Sequence, residues 1–229
     1  NVKMQGGRTL GAAKAINSLV MVGQTLNLNS RSLSIESGGL LVTGTAVIQG
    51  TSANQIAGNL TVGSARDAEA VLNIINPSQL TLNTQIQDFT TTATIAAHPT
   101  VGTTVLNIPA ASMIGLVPGM EVTGGGAAIP AGTRILSVDT GNNRITLNVP
   151  TAAAIPANTI VAFTGGSVSL AKSGNGLLLL NGNSTYTGKT YLNNGAVRIT
   201  RDNNLGAAPA ALVADQLQIN GGTLQLANT

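Results

Sequence analysis

Apolar and polar positions alternate with a period of two along much of this chain. From Ile16 the order runs Ile16-Asn17-Ser18-Leu19-Val20-Met21-Val22, then Thr25-Leu26-Asn27-Leu28, Ser32-Leu33-Ser34-Ile35, Leu40-Leu41-Val42 and Ala46-Val47-Ile48. Alternation of this kind argues for strands that bury one face. Leu26, Leu33, Leu40 and Val47 recur every seven residues. Three such steps make a repeat of about twenty residues, the scale of a solenoid. A coiled coil also repeats in sevens, but Gly38-Gly39, Gly44, the β-branched content and the lack of flanking charges exclude one. Strands are expected again at residues 59–62, 71–75, 80–82 and 85–87. Pro77 falls in a turn, where its missing N–H costs no ladder hydrogen bond. Residues 51–58 read as an outward loop, and residues 65–70, with Arg66, Asp67 and Glu69, as a surface turn. Residues 1–15 are weakly patterned. Ala12-Ala13-Lys14-Ala15 reads as a short helical turn or a connector.

The rhythm changes at Asp88-Phe89. Six prolines, at 99, 109, 118, 130, 150 and 156, and the one histidine, His98, lie in the next stretch. Thr104-Val105-Leu106-Asn107-Ile108 reads as a strand. A Pro118-Gly119 turn leads into another, and Ile129-Pro130-Ala131-Gly132-Thr133 repeats that plan. Asp139 to Asn143 is a hairpin turn between residues 135–138 and 144–149, and residues 159–163 close the stretch. Five or six antiparallel strands in this length suit a small β-barrel or sandwich. The pattern resembles small β modules of bacterial surface and phage tail proteins. With residues 89–164 removed, Gln85-Ile86-Gln87 meets Ser167-Val168-Ser169-Leu170. The stretch therefore reads as an insertion, which a solenoid tolerates because each repeat contacts only its neighbours.

The densest pattern is residues 172–197, KSGNGLLLLNGNSTYTGKTYLNNGAV. Asn175-Gly176, Asn181-Gly182 and Asn194-Gly195 mark tight turns between short apolar strands. This stretch resembles the autotransporter-associated β-strand repeat, also called the passenger-associated transport repeat. The resemblance rests on Lys172, Gly174, Gly176, Leu178, Leu180, Gly182, Ser184 (in a slot that is usually Asn), Tyr186, Gly188, Thr190, Gly195 and Val197. Asp202-Asn203-Asn204-Leu205-Gly206 and Asn220-Gly221-Gly222-Thr223-Leu224 resemble the steps that follow it in that family. The resemblance implies a right-handed parallel β-helix, secreted or displayed on a bacterial surface. It implies no catalytic residue, because the motif is structural.

Composition agrees with stacked strands rather than with a typical globular enzyme. Charged residues are 8 % of the chain, against about 25 % in ordinary domains. The hydrophobic share of 43 % is too high for disorder. The net charge of +3 is scattered from Lys3 to Arg201, and only Phe89, Phe163, Tyr186 and Tyr191 are aromatic. A nucleic-acid surface wants a basic patch with stacking rings, so that class is set aside. No Cys excludes disulfides, CxxC redox sites and thiolate metal sites. No apolar run reaches the roughly 18 residues of a membrane span. The start, Asn1-Val2-Lys3, carries no signal peptide and no initiator Met, so the chain reads as a mature or excised piece of something longer.

Candidate chemistry is sparse. His98 has no evident partner and reads as a loop residue before Pro99. The acids are Glu36, Asp67, Glu69, Asp88, Glu121, Asp139, Asp202 and Asp215, and only Asp67 and Glu69 are close in sequence. A glycosidase needs a carboxylate pair at a defined separation. Gly124-Gly125-Gly126 lacks the Lys-Ser/Thr of a phosphate loop. Tyr186 reads as packing over a corner between strands. No catalytic, cofactor-binding or metal residue is therefore assigned, no cofactor is expected, and the chain is expected not to be an enzyme.

The expectation is an all-β chain: a right-handed parallel β-helix (solenoid) at residues 1–88 and 165–229, interrupted by a small inserted β-barrel or sandwich module at 89–164. Its expected role is structural, in a bacterial extracellular fibre or giant surface protein. It would stack end to end with further copies or neighbouring repeats through uncapped ends. The alternative is an adhesin passenger fragment that binds a glycan or host protein through residues 89–164. A polysaccharide lyase or hydrolase is the third reading. The location implied is extracellular, at the bacterial cell surface.

Overall fold

A computed structural model describes residues 1–50, 59–62, 69–75, 77–98, 100–113 and 115–227. The chain divides into two compact units. One contains residues 1–62, 69–88 and 167–227 of the described chain, the other residues 89–166.

In the first unit all strand pairing is parallel, and three sheets share one core. The first sheet has seven strands: Val2–Met4, Leu19–Val22, Gly39–Thr43, Glu69–Ile74, Ser169–Ser173, Thr190–Leu192 and Leu217–Ile219. The second has seven: Arg8–Thr9, Thr25–Asn27, Thr45–Gln49, Gln79–Asn83, Leu177–Leu180, Ala196–Ile199 and Thr223–Leu226. The third has four: Lys14–Ile16, Ser32–Ile35, Asn59–Val62 and Gln85–Gln87. The chain visits the sheets in turn, so each strand lies beside the one a full circuit earlier. This all-β, parallel arrangement is consistent with a β-helix.

The spacing of seven now has a structural meaning. Leu26, Leu33 and Leu40 lie on the second, third and first sheets respectively, and each is buried. Register then repeats the pattern as columns. Leu19 pairs with Leu40, Leu40 with Leu72, Leu72 with Lys172, and Lys172 with Leu192. On the second sheet Leu26, Ile48, Leu82, Leu180 and Ile199 stack in the same way, and on the third Leu33, Leu60 and Ile86. Apart from Lys172, each stacked side chain is apolar and is removed from water largely by apolar neighbours, the burial that drives folding.

Three expectations are corrected. Val47 does not continue the column. It is half-buried on the outer face while Ala46 and Ile48 point inward, because pleating puts alternate residues on opposite faces. The segment expected as a helical turn or connector, Ala12-Ala13-Lys14-Ala15, instead contributes to the strand Lys14–Ile16, paired with Leu33–Ile35. A weakly patterned strand forms there because a parallel neighbour supplies the ladder. Likewise Glu69 and Ala70, expected in a surface turn, open the strand Glu69–Ile74. The outward loop expected at 51–58 and the rest of that turn, 65–68, lie outside the described residues.

Beyond Gln85–Gln87 the third face continues without a strand. The Thr185 N–H donates to the Ile86 carbonyl (2.8 Å), the Ser184 N–H to Asn203 O (2.9 Å), and the Ala207 N–H to Tyr186 O (2.9 Å). Irregular segments so occupy the ladder positions that strands fill elsewhere, which keeps backbone polar groups paired.

The second unit is antiparallel. Thr159–Thr164 pairs on one side with Thr90–Ile95 and on the other with Glu121–Gly124. Arg144–Leu147 lies between Val105–Asn107 and Ile135–Asp139. Phe89, Leu106, Met120, Ile145, Val161 and Phe163 share its core. A turn recurs in it. Thr133 Oγ1 donates to Pro130 O and Thr159 Oγ1 to Pro156 O, each at 2.7 Å. In each turn the residue before the threonine, Gly132 or Asn158, has positive φ (78° and 60°), as residues that tolerate the left-handed region can.

The columns make a direct prediction. Leu40→Ala removes a fully enclosed side chain and should cost about 3 kcal/mol, whereas Val47→Thr on the outer face should cost less than about 1 kcal/mol. Urea unfolding of the two variants measures the contrast. Equal losses would place both side chains on the same face.

Candidate functional site

A densely hydrogen-bonded place in the first unit is the corner around Lys172. Its strand, Ser169–Ser173, pairs on either side with Glu69–Asn73 and Thr190–Leu192. Register puts Lys172 in the column between Leu72 and Leu192, an inward position. The side chain is wholly buried. Its ammonium escapes an apolar end by turning to the strand terminus. There it donates to Ser173 O (2.8 Å), Gly174 O (2.6 Å) and Asn194 O (3.1 Å). An ammonium has three donors, and each has an acceptor. Burial pushes the group down from its ordinary 10.5 to about 8. The unfolded chain thus holds a proton between those pH values that the folded chain releases. This group's contribution to stability rises with pH across that window.

Tyr186 is the second buried polar residue of the repeat stretch. Its ring is fully enclosed, and its hydroxyl shares a hydrogen bond of 2.7 Å with Thr190 Oγ1. Burial holds the phenol far above its ordinary range, and the bond to Thr190 offsets part of that. Asn204 closes the neighbouring turn. Its Nδ2 donates to Gly182 O (2.8 Å), and its Oδ1 accepts from the Thr200 and Arg201 N–H groups (3.0 and 3.1 Å). Gly182 is needed where it stands because a Cβ there would collide with the carbonyl of Thr84, in the bend between Gln79–Asn83 and Gln85–Gln87. At Gly195, φ is +70° and a Cβ would meet the Gly174 and Gly176 carbonyls. The motif glycines are thus points of close backbone approach.

Asp88 is a further polar anchor. Its Oδ1 accepts from the Val168 N–H (2.8 Å) and its Oδ2 from Thr187 Oγ1 (2.7 Å). Thr187 Oγ1 also lies 3.0 Å from Ser167 Oγ. One carboxylate so ties the chain just after Gln85–Gln87 to residues 167–168 and to the repeat stretch.

The other candidates are dispersed. His98 accepts the Asn107 N–H at Nε2 (3.2 Å), and its backbone exchanges two hydrogen bonds with Ile155 (2.9 Å each). Asp139 Oδ1 and Oδ2 hold the Asn142 N–H and side-chain amide (3.1 and 2.7 Å) in the hairpin turn. Those bonds hold its carboxyl below the usual range. Among the described residues no group of three or more His, Asp or Glu could hold a metal ion. Asp67 lies outside the described residues. Gly124, Gly125 and Gly126 all have positive φ, and Gly124 and Gly126 border a groove of about 460 Å³ with Val122, Ile129 and Pro130. The residue that the sequence pattern did not reveal is Lys172 as a core side chain. Its signal was its place in phase with inward Leu170.

This arrangement binds strands to strands. Comparison with known proteins agrees in direction. No family model matches the chain, and no solved structure matches it. Over 74 residues it is 38 % identical to a curated protein described as "Adhesin BmaC autotransporter", from Brucella suis biovar 1 (strain 1330). The aligned part is 32 % of this chain and 2 % of that protein. The chain therefore spans only a small fraction of the relative it resembles.

Two outcomes test the corner. Lys172→Met keeps the bulk but strips the donor from three carbonyls, and should cost about 3 kcal/mol, since each unmet buried group costs roughly 1–3. Urea midpoints at neutral pH measure it. Tyr186→Phe should cost about 1 kcal/mol there. Above pH about 10 the unfolded chain loses the tyrosine proton that the folded chain keeps, so wild-type stability should fall by up to about 1.4 kcal/mol per pH unit from this group. The Phe variant lacks that fall, and parallel stability curves for the two proteins would remove the phenol from the core.

Proposed function

We propose that this chain is a segment of an autotransporter-type surface adhesin, a right-handed parallel β-helix that carries residues 89–164 as an inserted module. The single observation that bears most on this reading is the register across the gap. Glu69–Asn73 pairs residue for residue with Ser169–Ser173, and Gln79–Leu82 with Leu177–Leu180. The ladder thus runs on as though the intervening residues had no part in it. The match to an adhesin autotransporter supports a surface or extracellular location. The residues of 172–197 support the autotransporter-associated repeat as the unit of the helix.

In this reading the parallel unit is a shaft. Each strand is fixed by the one before and the one after, and further rungs extend it without new chemistry. The module supplies recognition of a surface glycan or host protein. The chain performs no catalysis, and nucleic acid is not among its partners.

A second reading keeps the shaft and makes it a fibre unit that stacks through its outermost strands. Leu217, Ile219 and Leu226 are exposed on Leu217–Ile219 and Thr223–Leu226, apolar positions that a further strand beside them, of this chain or of another copy, would cover.

Deleting residues 89–164 and joining 88 to 165 tests both. The shortened protein should keep its strand content and lose attachment to cells or glycan arrays by at least tenfold. Attachment that survives the deletion would overturn recognition by the module. Concentration-dependent filaments in light scattering of the same shortened protein would favour the fibre reading instead.

A further inference from the structure

Four Asn-Gly pairs occur in the chain, at 175–176, 181–182, 194–195 and 220–221. Asn-Gly is the dipeptide in which a backbone nitrogen most easily attacks the preceding carboxamide, because glycine offers no side-chain obstruction. The fold treats the four differently. The Gly176 N–H is committed to Ile74 O (2.7 Å). The Asn181 carboxamide donates to Asn83 Oδ1 (2.7 Å), and that of Asn220 to Asn193 Oδ1 (3.0 Å). At Asn194 the arrangement is the reverse. The Gly195 N–H is aimed at its own neighbour's carboxamide, 2.7 Å from Asn194 Oδ1. The contact places the nitrogen next to the carboxamide whose carbon it would attack, so the two reacting groups start in proximity. Asn194 is also exposed, so water reaches it.

The buried ammonium adds a second, independent feature. Lys172 Nζ donates to the carbonyl oxygen of Asn194 (3.1 Å). That carbonyl and the Gly195 N–H belong to one peptide group. A cation on the oxygen stabilises the negative charge that develops when the nitrogen gives up its proton, as electrostatic preorganisation does in an oxyanion hole.

We propose that Asn194 is a built-in deamidation site, activated by the ammonium of Lys172, at which the corner of the repeat stretch changes from neutral to anionic with time. The Gly195 nitrogen loses its proton to water and forms a bond to Asn194 Cγ. The Cγ–Nδ2 bond breaks and the amide nitrogen leaves as ammonia, closing a succinimide. Water then opens either imide carbonyl, leaving an aspartyl or an isoaspartyl residue at position 194. Water is the only co-reactant, and no oxidation state changes. The new carboxylate arises beside Lys172, which would hold it. An isoaspartyl product also lengthens the backbone between two ladder bonds, Asn193 N–H to Lys172 O and Thr223 N–H to Gly195 O (2.9 and 2.8 Å). That weakens the stacking on this strand.

The test is peptide mapping by mass spectrometry of the full chain aged at neutral pH, folded and in urea. In the folded protein, position 194 should convert several-fold faster than 175, 181 and 220, and in urea the four rates should converge. Lys172→Arg, which keeps the cation, should retain the fast conversion, and Lys172→Met should slow it several-fold. If circular dichroism shows Lys172→Met unfolded, the wild-type ranking decides alone. Position 194 reacting no faster than 175 in the folded protein would overturn the proposal. A folded Lys172→Met variant with an unchanged rate would overturn the part given to the ammonium.

Discussion

Each strand of the parallel unit owes its backbone hydrogen bonds to the strand a circuit earlier and the strand a circuit later. Few bonds of those ladders are local, because parallel neighbours cannot be joined by a tight turn. Leu40 meets Leu19 and Leu72, Leu180 meets Leu82 and Ile199, and neither pairs with the residues next to it in the chain. This constraint explains the composition. Side chains stacked in such columns must be apolar in nearly every circuit, whatever their size, as Ala46 against Leu80 and Ala70 against Leu170 show. The interior is accordingly built from Leu, Ile, Val, Ala and Met. Charge has little use inside such a column, and outside it the short faces leave room mainly for Thr, Asn, Gln and Ser.

The corners carry the polar exceptions. Lys172 takes an inward position and is tolerated because its ammonium reaches three carbonyls, so the buried charge is solvated by the backbone. Tyr186, Asn204 and Asp88 do comparable work where the third face runs without strands. Asn204 and Asp88 bond backbone groups that no ladder pairs, and Tyr186 pairs its own hydroxyl with Thr190. The glycines between them let adjacent backbones approach within contact distance, as Gly182 does against Thr84. What is preserved through the irregular turns is therefore the pairing of polar groups rather than the strand geometry. The same corner brings the Asn194-Gly195 peptide under an ammonium, so a stabilising contact also creates a chemical weakness.

The antiparallel unit follows another logic. Its strands meet through nearby turns, at Asp139 to Asn143 for example, and its core contains both phenylalanines of the chain. Proline-headed turns set its loops, where the parallel unit uses glycine and asparagine. Residues 1–88 and 165–229 have two prolines between them, Pro77 and Pro209, because a strand paired on both sides has no place for a residue without an N–H. The two compositions are the visible trace of two ways to satisfy a backbone.

Period-two alternation and glycine-marked turns were enough to establish an all-β chain and to place Leu26, Leu33 and Leu40 in a core, because burial of one strand face leaves a local pattern. The hairpin around Asp139 was legible for the same reason. Other features depended on partners far away in sequence. Val47 matched the spacing of seven, yet the pleat turned it outward, since a shift of one residue exchanges the faces of a strand. Lys14–Ile16 and Thr90–Ile95 show little alternation, and they are strands because Leu33–Ile35 and Thr159–Thr164 lie beside them. Lys172 read as a charged motif residue. Its burial was decided by Leu72 and Leu192 on either side and by carbonyls at the strand end. Local pattern reports which face a residue prefers; only the assembled neighbours determine whether a polar atom there finds its bonds.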